Sequence, residues 1–117
     1  MPRIIDLVQT NPLPGREDEF EEWYGTRHIH DILAVPGIVT AQRYRVTRDR
    51  RVEGSGYAGM PKPYQHLALY ECEGRPDEIL KAIEEHRNAG KIPWSPALDP
   101  VFSAYFYEPI GEKLIKG

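Results

Sequence analysis

The sequence contains a single cysteine, Cys72, among its 117 residues. One thiol cannot form a disulfide within the chain, and it cannot build a cysteine-rich zinc site or an iron–sulfur cluster. The chain also lacks an apolar run of membrane-spanning length, and its first ten residues, MPRIIDLVQT, lack the apolar core of a secretory signal. These absences favour a reducing compartment, and we expect a cytoplasmic protein that does not associate with membranes.

The net charge is also small, because 15 lysines and arginines nearly balance 18 aspartates and glutamates. Such a balance provides no long-range attraction to nucleic acid or anionic lipid. The basic run RVTRDRR, residues 45–51, is more typical of a solvated loop than of a phosphate site. The glycines of EGSGYAG are followed by MPKP, which cannot open the helix that a nucleotide-binding loop requires. We therefore expect no nucleic-acid partner.

Composition and hydrophobic periodicity predict one folded domain over residues 1–117. Hydrophobic residues make up 40% of the chain and charged residues 28%, which is ordinary for a globular protein. Alternating and helical spacings predict the order βαββαβ. The expected strands are residues 4–10, 38–47, 64–73 and 101–110, the expected helices are residues 16–35, with a break, and 77–89, and residues 48–63 are expected to form a long loop.

The stretch EEWYGTRHIHDILAVPG, residues 21–37, changes its helical phase near Gly25. On one continuous α-helix, the apolar residues of 29–33 would point nearly opposite to the aromatic residues of 20–24, because each residue advances about 100°. A change of helix axis near Gly25 would keep both sets on one core. His28, at the junction, would then turn into the space between helix and sheet.

The order βαββαβ predicts an α+β, ferredoxin-like sandwich, in which a four-stranded antiparallel sheet carries both helices on one face. The strands have apolar or aromatic residues at both even and odd positions, which face opposite sides of the sheet. In the second strand, for example, Ile38 and Tyr44 are at even positions and Val39 and Ala41 are at odd ones. The face without helices therefore also needs cover, and an exposed apolar face of this size is unusual for a monomer. We expect a second copy to pack its sheet on this face with two-fold symmetry, giving a homodimer.

Histidine and tyrosine side chains are the candidate catalytic groups. His66 and Tyr70 share one face of the third strand, where a partly desolvated imidazole can act as acid or base and a tyrosine can donate to a developing enolate or phenolate. Packing in a core or an interface is an alternative role for both. His28 breaks the helical pattern, and such violations cluster at functional sites. Tyr24 lies one turn earlier and could expose its hydroxyl to a cavity.

Four other residues are candidates for binding a substrate: Trp23, Asp31, Arg43 and Tyr44. Arg43 could hold a carboxylate or phenolate through its fork of donors, although an exposed strand arginine is the commoner case. The pair His28 and His30 is an unfavourable metal site, because side chains two residues apart on a helix diverge. We expect no metal and no cofactor.

The run NPLPGREDEFEEWYGTRHIHDILAVPGIVTAQRYR, residues 11–45, resembles the dimeric α/β-barrel superfamily, especially its EthD-like members. The resemblance rests on a Trp-Tyr pair, a following histidine, Asp-x-Leu and a Pro-Gly leading into a strand. The matching residues are Trp23, Tyr24, His28, Asp31, Pro36 and Gly37. The resemblance implies a protomer whose sheet pairs with its twin into a barrel. The superfamily includes cofactor-free monooxygenases, polyketide cyclases, lactone isomerases and haem-handling enzymes, and a fold alone selects none of these activities.

The leading hypothesis is a cofactor-independent enzyme that acts on a small apolar, aromatic or polyketide-like carbonyl or phenol. Its reaction would be a proton-transfer cyclisation or isomerisation, or an oxygenation of a readily deprotonated substrate. One alternative is a non-catalytic dimeric module that binds a small molecule, for example in a stress response. The other alternative is a haem-binding protein.

Overall fold

The computed structural model describes residues 3–48 and 63–117. In chain order the elements are β1 (Ile4–Thr10), α1 (Glu17–Trp23), a π-helical turn (Tyr24–His28), α2 (Ile29–Leu33), β2 (Ile38–Arg45), β3 (His66–Cys72), α3 (Pro76–Asn88) and β4 (Ser103–Tyr107). Residues 49–62, which hold most of the predicted loop and the end of the basic run, lie outside the described residues.

The four strands form one antiparallel sheet in the order β2-β3-β1-β4. This order, with the helices packed on one side, is that of an α+β ferredoxin-like fold, so the predicted fold class is confirmed. Strand β4 is shorter than expected and ends at Tyr107, two residues before Pro109, whose ring nitrogen cannot donate to a sheet.

The helical stretch before β2 is continuous from Glu17 to Leu33, which corrects the expected break into two helices near Gly25. Backbone angles stay right-handed helical on both sides of the π-helical turn, with φ and ψ of -60° and -48° at Trp23 and -60° and -36° at Ile29. The Ile29 N–H donates to the Tyr24 carbonyl, five residues back, so this turn holds one residue more than an α-helical turn. The extra residue changes the phase of the apolar face without breaking the helix.

Cross-strand register determines which strand residues face the helices, because directly opposite residues of an antiparallel pair project to the same side. One helix-facing row consists of Ala41, Tyr70, Asp6 and Phe106, and the next consists of Arg43, Ala68, Val8 and Ala104. A β-bulge between Ile38 and Thr40 shifts the register of β2 by one residue. Tyr44 therefore does not share a face with Ile38, as its parity suggested, and lies opposite Leu67 on the uncovered face.

The uncovered face carries aromatic side chains on both edges of the sheet. Tyr44 on β2 is 53% exposed, and Tyr105 and Tyr107 on β4 are 63% and 48% exposed. Leu7 and Leu69 lie between them in the central strands and are only partly buried. In the part of the chain that the structure describes, no helix is long and apolar enough to cross a membrane.

The core lies between the helices and the covered face of the sheet. It comprises Phe20, Tyr24, Ile32, Val35, Ile38, Ala68, Tyr70, Cys72, Ile79, Ile92, Ala97 and Leu98. The last three come from the segment 91–98, which was expected to be a loop and is nevertheless buried in part. Helix α3 begins with Pro76 and is followed by Gly90 at φ +76°, so proline and glycine mark its two ends as the sequence predicted.

Candidate functional site

A cavity of about 380 Å³ lies between the helices and the sheet. This volume is within the usual range for small-molecule sites, about 300–1,000 Å³. Its apolar walls come from Val8, Ile32, Leu80, Ile83, Ile92, Trp94, Phe102, Ala104 and Phe106, with Tyr105 at the edge, and its polar side chains are Asp6, Tyr24, His28, Tyr70 and Arg87. A few polar groups thus converge on a mostly hydrophobic space.

The π-helical turn carries the His28 ring into this cavity, where the residue is 7% exposed. The Trp23 ring stacks on it at a centroid distance of 4.5 Å, and the Tyr24 ring meets it edge-on at 4.8 Å. The buried Nδ1 atom has no hydrogen-bond partner among the described residues. Burial and, to a lesser extent, the charge of Arg43 together lower the pKa of His28 to about 4. His28 is therefore neutral at neutral pH and can accept a proton.

The hydroxyls of Tyr24 and Tyr70 also face this region, and neither has a hydrogen-bond partner of good geometry. The two groups are still near enough to interact, because Tyr70 lowers the pKa of Tyr24 in opposition to burial. Burial, the largest cause, raises the pKa of both tyrosines above its ordinary value. Both phenols therefore stay protonated near neutral pH and can donate a hydrogen bond.

Asp6 is the acidic side chain of the cavity. It lies in β1 directly opposite Tyr70 and Phe106 on the neighbouring strands, and it is 7% exposed. Burial raises the pKa of Asp6 to about 6. The cavity therefore contains a second group, besides His28, that can change its protonation state at a mildly acidic pH.

A tryptophan on the segment 91–98 covers one side of the cavity. The Trp23 indole N–H donates to the Pro93 carbonyl at 3.3 Å and so attaches this segment to the helix. The next residue, Trp94, lines the cavity, with its ring 6.1 Å from the His28 ring and 5.7 Å from the Phe102 ring. Trp94 is 48% exposed, so it lies between the cavity and solvent.

His66 and Arg43, two of the residues predicted from the sequence, form a separate cluster around Glu21. His66 is absent from the cavity lining, packs on the Phe20 ring at 4.8 Å, and has its Nδ1 atom 3.4 Å from Glu21 Oε1. Burial lowers the pKa of His66, although the Glu21 carboxylate opposes this shift. Arg43 donates to Glu21 at 2.8 Å and lies 4.6 Å from the centroid of the Tyr24 ring. Tyr24 thus connects this cluster to the cavity.

The other predicted binding residues also lie outside the cavity lining. Trp23 supports the His28 ring, Asp31 Oδ2 is 3.5 Å from Arg27 Nε, and Tyr44 is on the uncovered face. Burial raises the pKa of Cys72 to about 11, so its thiol is not a nucleophile near neutral pH. Within residues 3–48 and 63–117, no group of three or more His, Cys, Asp or Glu side chains could hold a metal ion.

The cavity residues that were not singled out in the sequence include Asp6, Arg87 and Trp94. Asp6 interrupts the apolar strand IIDLVQT, and a charged residue within an apolar strand could have indicated a functional position. Arg87 continues a helical spacing of three and four residues from Leu80 and Ile83, which would have placed it on their face of α3. Trp94 lies in a proline-rich segment without periodicity, so no local pattern identifies its position.

No protein-family model matches the chain, and no curated protein matches it. Solved structures do match over nearly its whole length. A proposed monooxygenase from Shewanella loihica is 14% identical, with a TM-score of 0.64 over 95% of this chain and 97% of its own. MhuD, a haem-degrader from Mycobacterium tuberculosis with two haems in its active site, is 15% identical, with a TM-score of 0.54 over 94% and 98%.

A variant of MhuD that binds two manganese protoporphyrin IX molecules per active site matches with a TM-score of 0.58, at 15% identity over 97% of this chain and 99% of its own. An EthD family protein from Bacillus halodurans is 14% identical, with a TM-score of 0.49 over 92% and 99%. At these identities the likeness shows the fold alone. The fold that the resemblance implied is confirmed: the chain has the ferredoxin-like fold of these solved structures.

Proposed function

We propose that the chain is a cofactor-independent enzyme that removes a proton from a small, largely apolar carbonyl or phenol substrate. One observation carries this proposal. Three buried polar atoms, His28 Nδ1 and the hydroxyl oxygens of Tyr24 and Tyr70, have no hydrogen-bond partner of good geometry and belong to side chains that line one apolar cavity. Unsatisfied buried polar groups are costly, and a bound substrate with polar atoms of its own would satisfy them.

The protonation states of these groups suit proton abstraction. A neutral His28 accepts the proton from a carbon next to a carbonyl or from a phenol, and the protonated tyrosines donate hydrogen bonds to the oxygen that becomes negative. An apolar surrounding strengthens both effects, because charges and dipoles interact more strongly where water is excluded. Cyclisation and isomerisation need only these groups. Oxygenation would begin with the same deprotonation and would use dioxygen as the oxidant of an electron-rich anion.

The proposal is tested with 1-tetralone, a two-ring ketone, by following hydrogen–deuterium exchange next to its carbonyl in D₂O by NMR. We expect protein-dependent exchange above the buffer rate, and a decrease of about 100-fold or more in His28→Ala, the usual range for loss of a general base. His86→Ala, a change on α3 outside the cavity lining, is the matched control and should exchange as the unmodified protein does. If His28→Ala and His66→Ala both exchange at the unmodified rate, the catalytic assignment is wrong.

The pH dependence of this exchange identifies the base. If His28 accepts the proton, the rate falls on acidification through about pH 4, the pKa that burial gives it. A fall through about pH 6 would transfer the role of base to Asp6, whose pKa burial raises to that value. Saturable binding of 1-tetralone without any exchange would instead favour a non-catalytic binding module.

We also propose that the uncovered face of the sheet pairs with a second copy of the chain. The exposed tyrosines Tyr44, Tyr105 and Tyr107 support this proposal, because aromatic side chains are enriched in interfaces. Light scattering should give twice the chain mass at micromolar concentration, and Tyr105→Glu should shift the mass toward that of one chain. A single-chain mass for the unmodified protein would contradict the proposal.

The cavity residues do not fit an axial ligand for haem, the molecule bound by the neighbour MhuD. An iron-bound histidine normally donates its other ring N–H to a carbonyl, a carboxylate or water, which fixes the ring. His28 is the one histidine among the described residues that line the cavity, and its buried Nδ1 has no carbonyl or carboxylate partner there that would fix the ring in this way. We therefore assign no step to haem. Titration with haemin should leave the Soret band of the free pigment in place, and a sharpened, shifted band would contradict this conclusion.

A further inference from the structure

Arg87 is the basic side chain that lines the cavity at the C-terminal end of α3. It follows Leu80 and Ile83 at spacings of seven and four residues, so the three side chains occupy one stripe of the helix. Leu80 and Ile83 form apolar wall, and Arg87 is the exposed end of the same stripe. The cavity therefore has a cationic group at one end of an apolar surface.

The Arg87 side chain has no ion pair or hydrogen bond with any other described residue. Five other arginines of the described ranges, Arg3, Arg16, Arg27, Arg43 and Arg75, each lie within 4.0 Å of a carboxylate. The guanidinium of Arg87 thus has its full set of donors available, and these donors suit the two oxygens of a carboxylate.

Arg87 lies at the exposed end of the cavity, whereas the tyrosines deeper in it are buried, with Tyr24 2% and Tyr70 1% exposed. A ligand that contacts both Arg87 and the tyrosines must therefore extend along the apolar wall between them.

We infer that the substrate carries a carboxylate at the end of its apolar body opposite to the reacting carbonyl or phenol. Arg87 would bind this carboxylate, and the negative charge of Asp6 would disfavour the reversed orientation. The inference rests on the proposed function of the cavity and specifies its substrate class. Arg87 would be a binding residue that orients the substrate and not a group that takes part in proton transfer.

The test compares 2-naphthoate with its methyl ester, which has the same ring system without the charge, by quenching of tryptophan fluorescence. Trp94 lines the cavity and serves as the reporter. We expect 2-naphthoate to bind about 2- to 5-fold more tightly than the ester, because solvent partly screens an ion pair at the exposed end of the cavity. Arg87→Gln should abolish this preference while leaving the affinity for the ester within about twofold. Lys81→Gln, which removes a charge from α3 outside the cavity lining, is the matched control and should retain the preference.

The outcomes separate this inference from the proposed function. If the ester binds and 1-tetralone exchanges, but 2-naphthoate has no advantage or Lys81→Gln loses it equally, the inference is wrong and the proposed function stands. If neither naphthyl ligand binds and 1-tetralone does not exchange, both are wrong. Tighter binding of 2-naphthyl phosphate than of 2-naphthoate would overturn the assignment of a carboxylate.

Discussion

Asp6 and His28 should give the free energy of unfolding opposite dependences on pH. The pKa of Asp6 is raised from 3.8 to about 6, so its stabilisation is complete below pH 3.8 and is lost as the pH rises through 6. The pKa of His28 is lowered from 6.5 to about 4, so its stabilisation is complete above pH 6.5 and is lost as the pH falls through 4. Between pH 3.8 and pH 6.5 the two contributions to the free energy of unfolding change in opposite directions and largely cancel in the unmodified protein.

The substitution Asp6→Asn removes one of the two effects. Each pKa differs from its unfolded value by about two units, and one unit corresponds to about 1.4 kcal/mol, so each effect amounts to roughly 3 kcal/mol. On acidification from pH 7 to pH 4, Asp6→Asn should therefore lose about 3 kcal/mol of stability relative to the unmodified protein. His28→Gln should show the reverse trend, because only the Asp6 effect remains.

Urea denaturation followed by tryptophan fluorescence, at half-unit intervals between pH 4 and pH 7.5, measures these differences. The informative quantity is the change with pH of the difference between variant and unmodified protein, since any constant cost of the new side chain then disappears. Asp18→Asn, which alters an exposed carboxylate on α1, controls for the loss of one acidic group. If the Asp6→Asn and unmodified curves stay parallel across this range, the assignment of Asp6 as a buried, titrating group is refuted.

Three other predictions concern the site and its supports. Tyr70→Phe should change stability by less than about 1 kcal/mol, because the hydroxyl makes no hydrogen bond of good geometry, yet slow the exchange of 1-tetralone by about 100-fold; an unchanged exchange rate would exclude Tyr70 as a donor. Arg43→Gln should raise the pKa of His28 from about 4 but leave it below 6.5, because burial, the larger cause, remains; NMR titration of the ring protons measures this, and an unmoved pKa would contradict it. Gly37→Ala should lower the free energy of unfolding, measured by urea denaturation, by roughly 2–3 kcal/mol, since φ is +96° and the added carbon would lie 3.1 Å from Ile79 Cγ1. Gly15→Ala, at φ +83° with open space around it, should lower it by about 1 kcal/mol. Equal losses would contradict the role of the contact with Ile79.

The fold could be predicted because its determinants are local. A short apolar, β-branched run that ends at NPLPG defines β1, and helical spacing bounded by proline and glycine defines α3 within one residue at each end. The phase change near Gly25 was also visible in the sequence, since it depends only on which residues are apolar. The structural origin of this phase change was not visible in the sequence, because a change of helix axis and an inserted residue produce the same shift of the apolar face.

The site was predicted only in part. Its residues come from elements that are distant in the sequence, so local patterns could not show which of them lie together. His28, Tyr24 and Tyr70 were identified from helix and strand patterns, and they line one cavity. His66 was grouped with Tyr70 by strand alternation, but it lies four residues along β3, near Glu21 and away from the cavity. Tyr44 was misplaced because a β-bulge reverses strand parity, and a bulge depends on pairing with β3, which no local pattern in β2 records.

The π-helical turn makes the site sensitive to the length of the chain and not only to the identity of its residues. Removing one residue between Tyr24 and His28 would leave enough hydrogen-bonding groups for an ordinary α-helical turn, so the helix would persist. Because the π-helical turn absorbs the extra residue, the residues after the deletion would keep their orientation relative to the sheet, and Ile32 would still face the core. A deletion here would thus retain the helix and its packing and remove only the wide turn that carries His28 into the cavity.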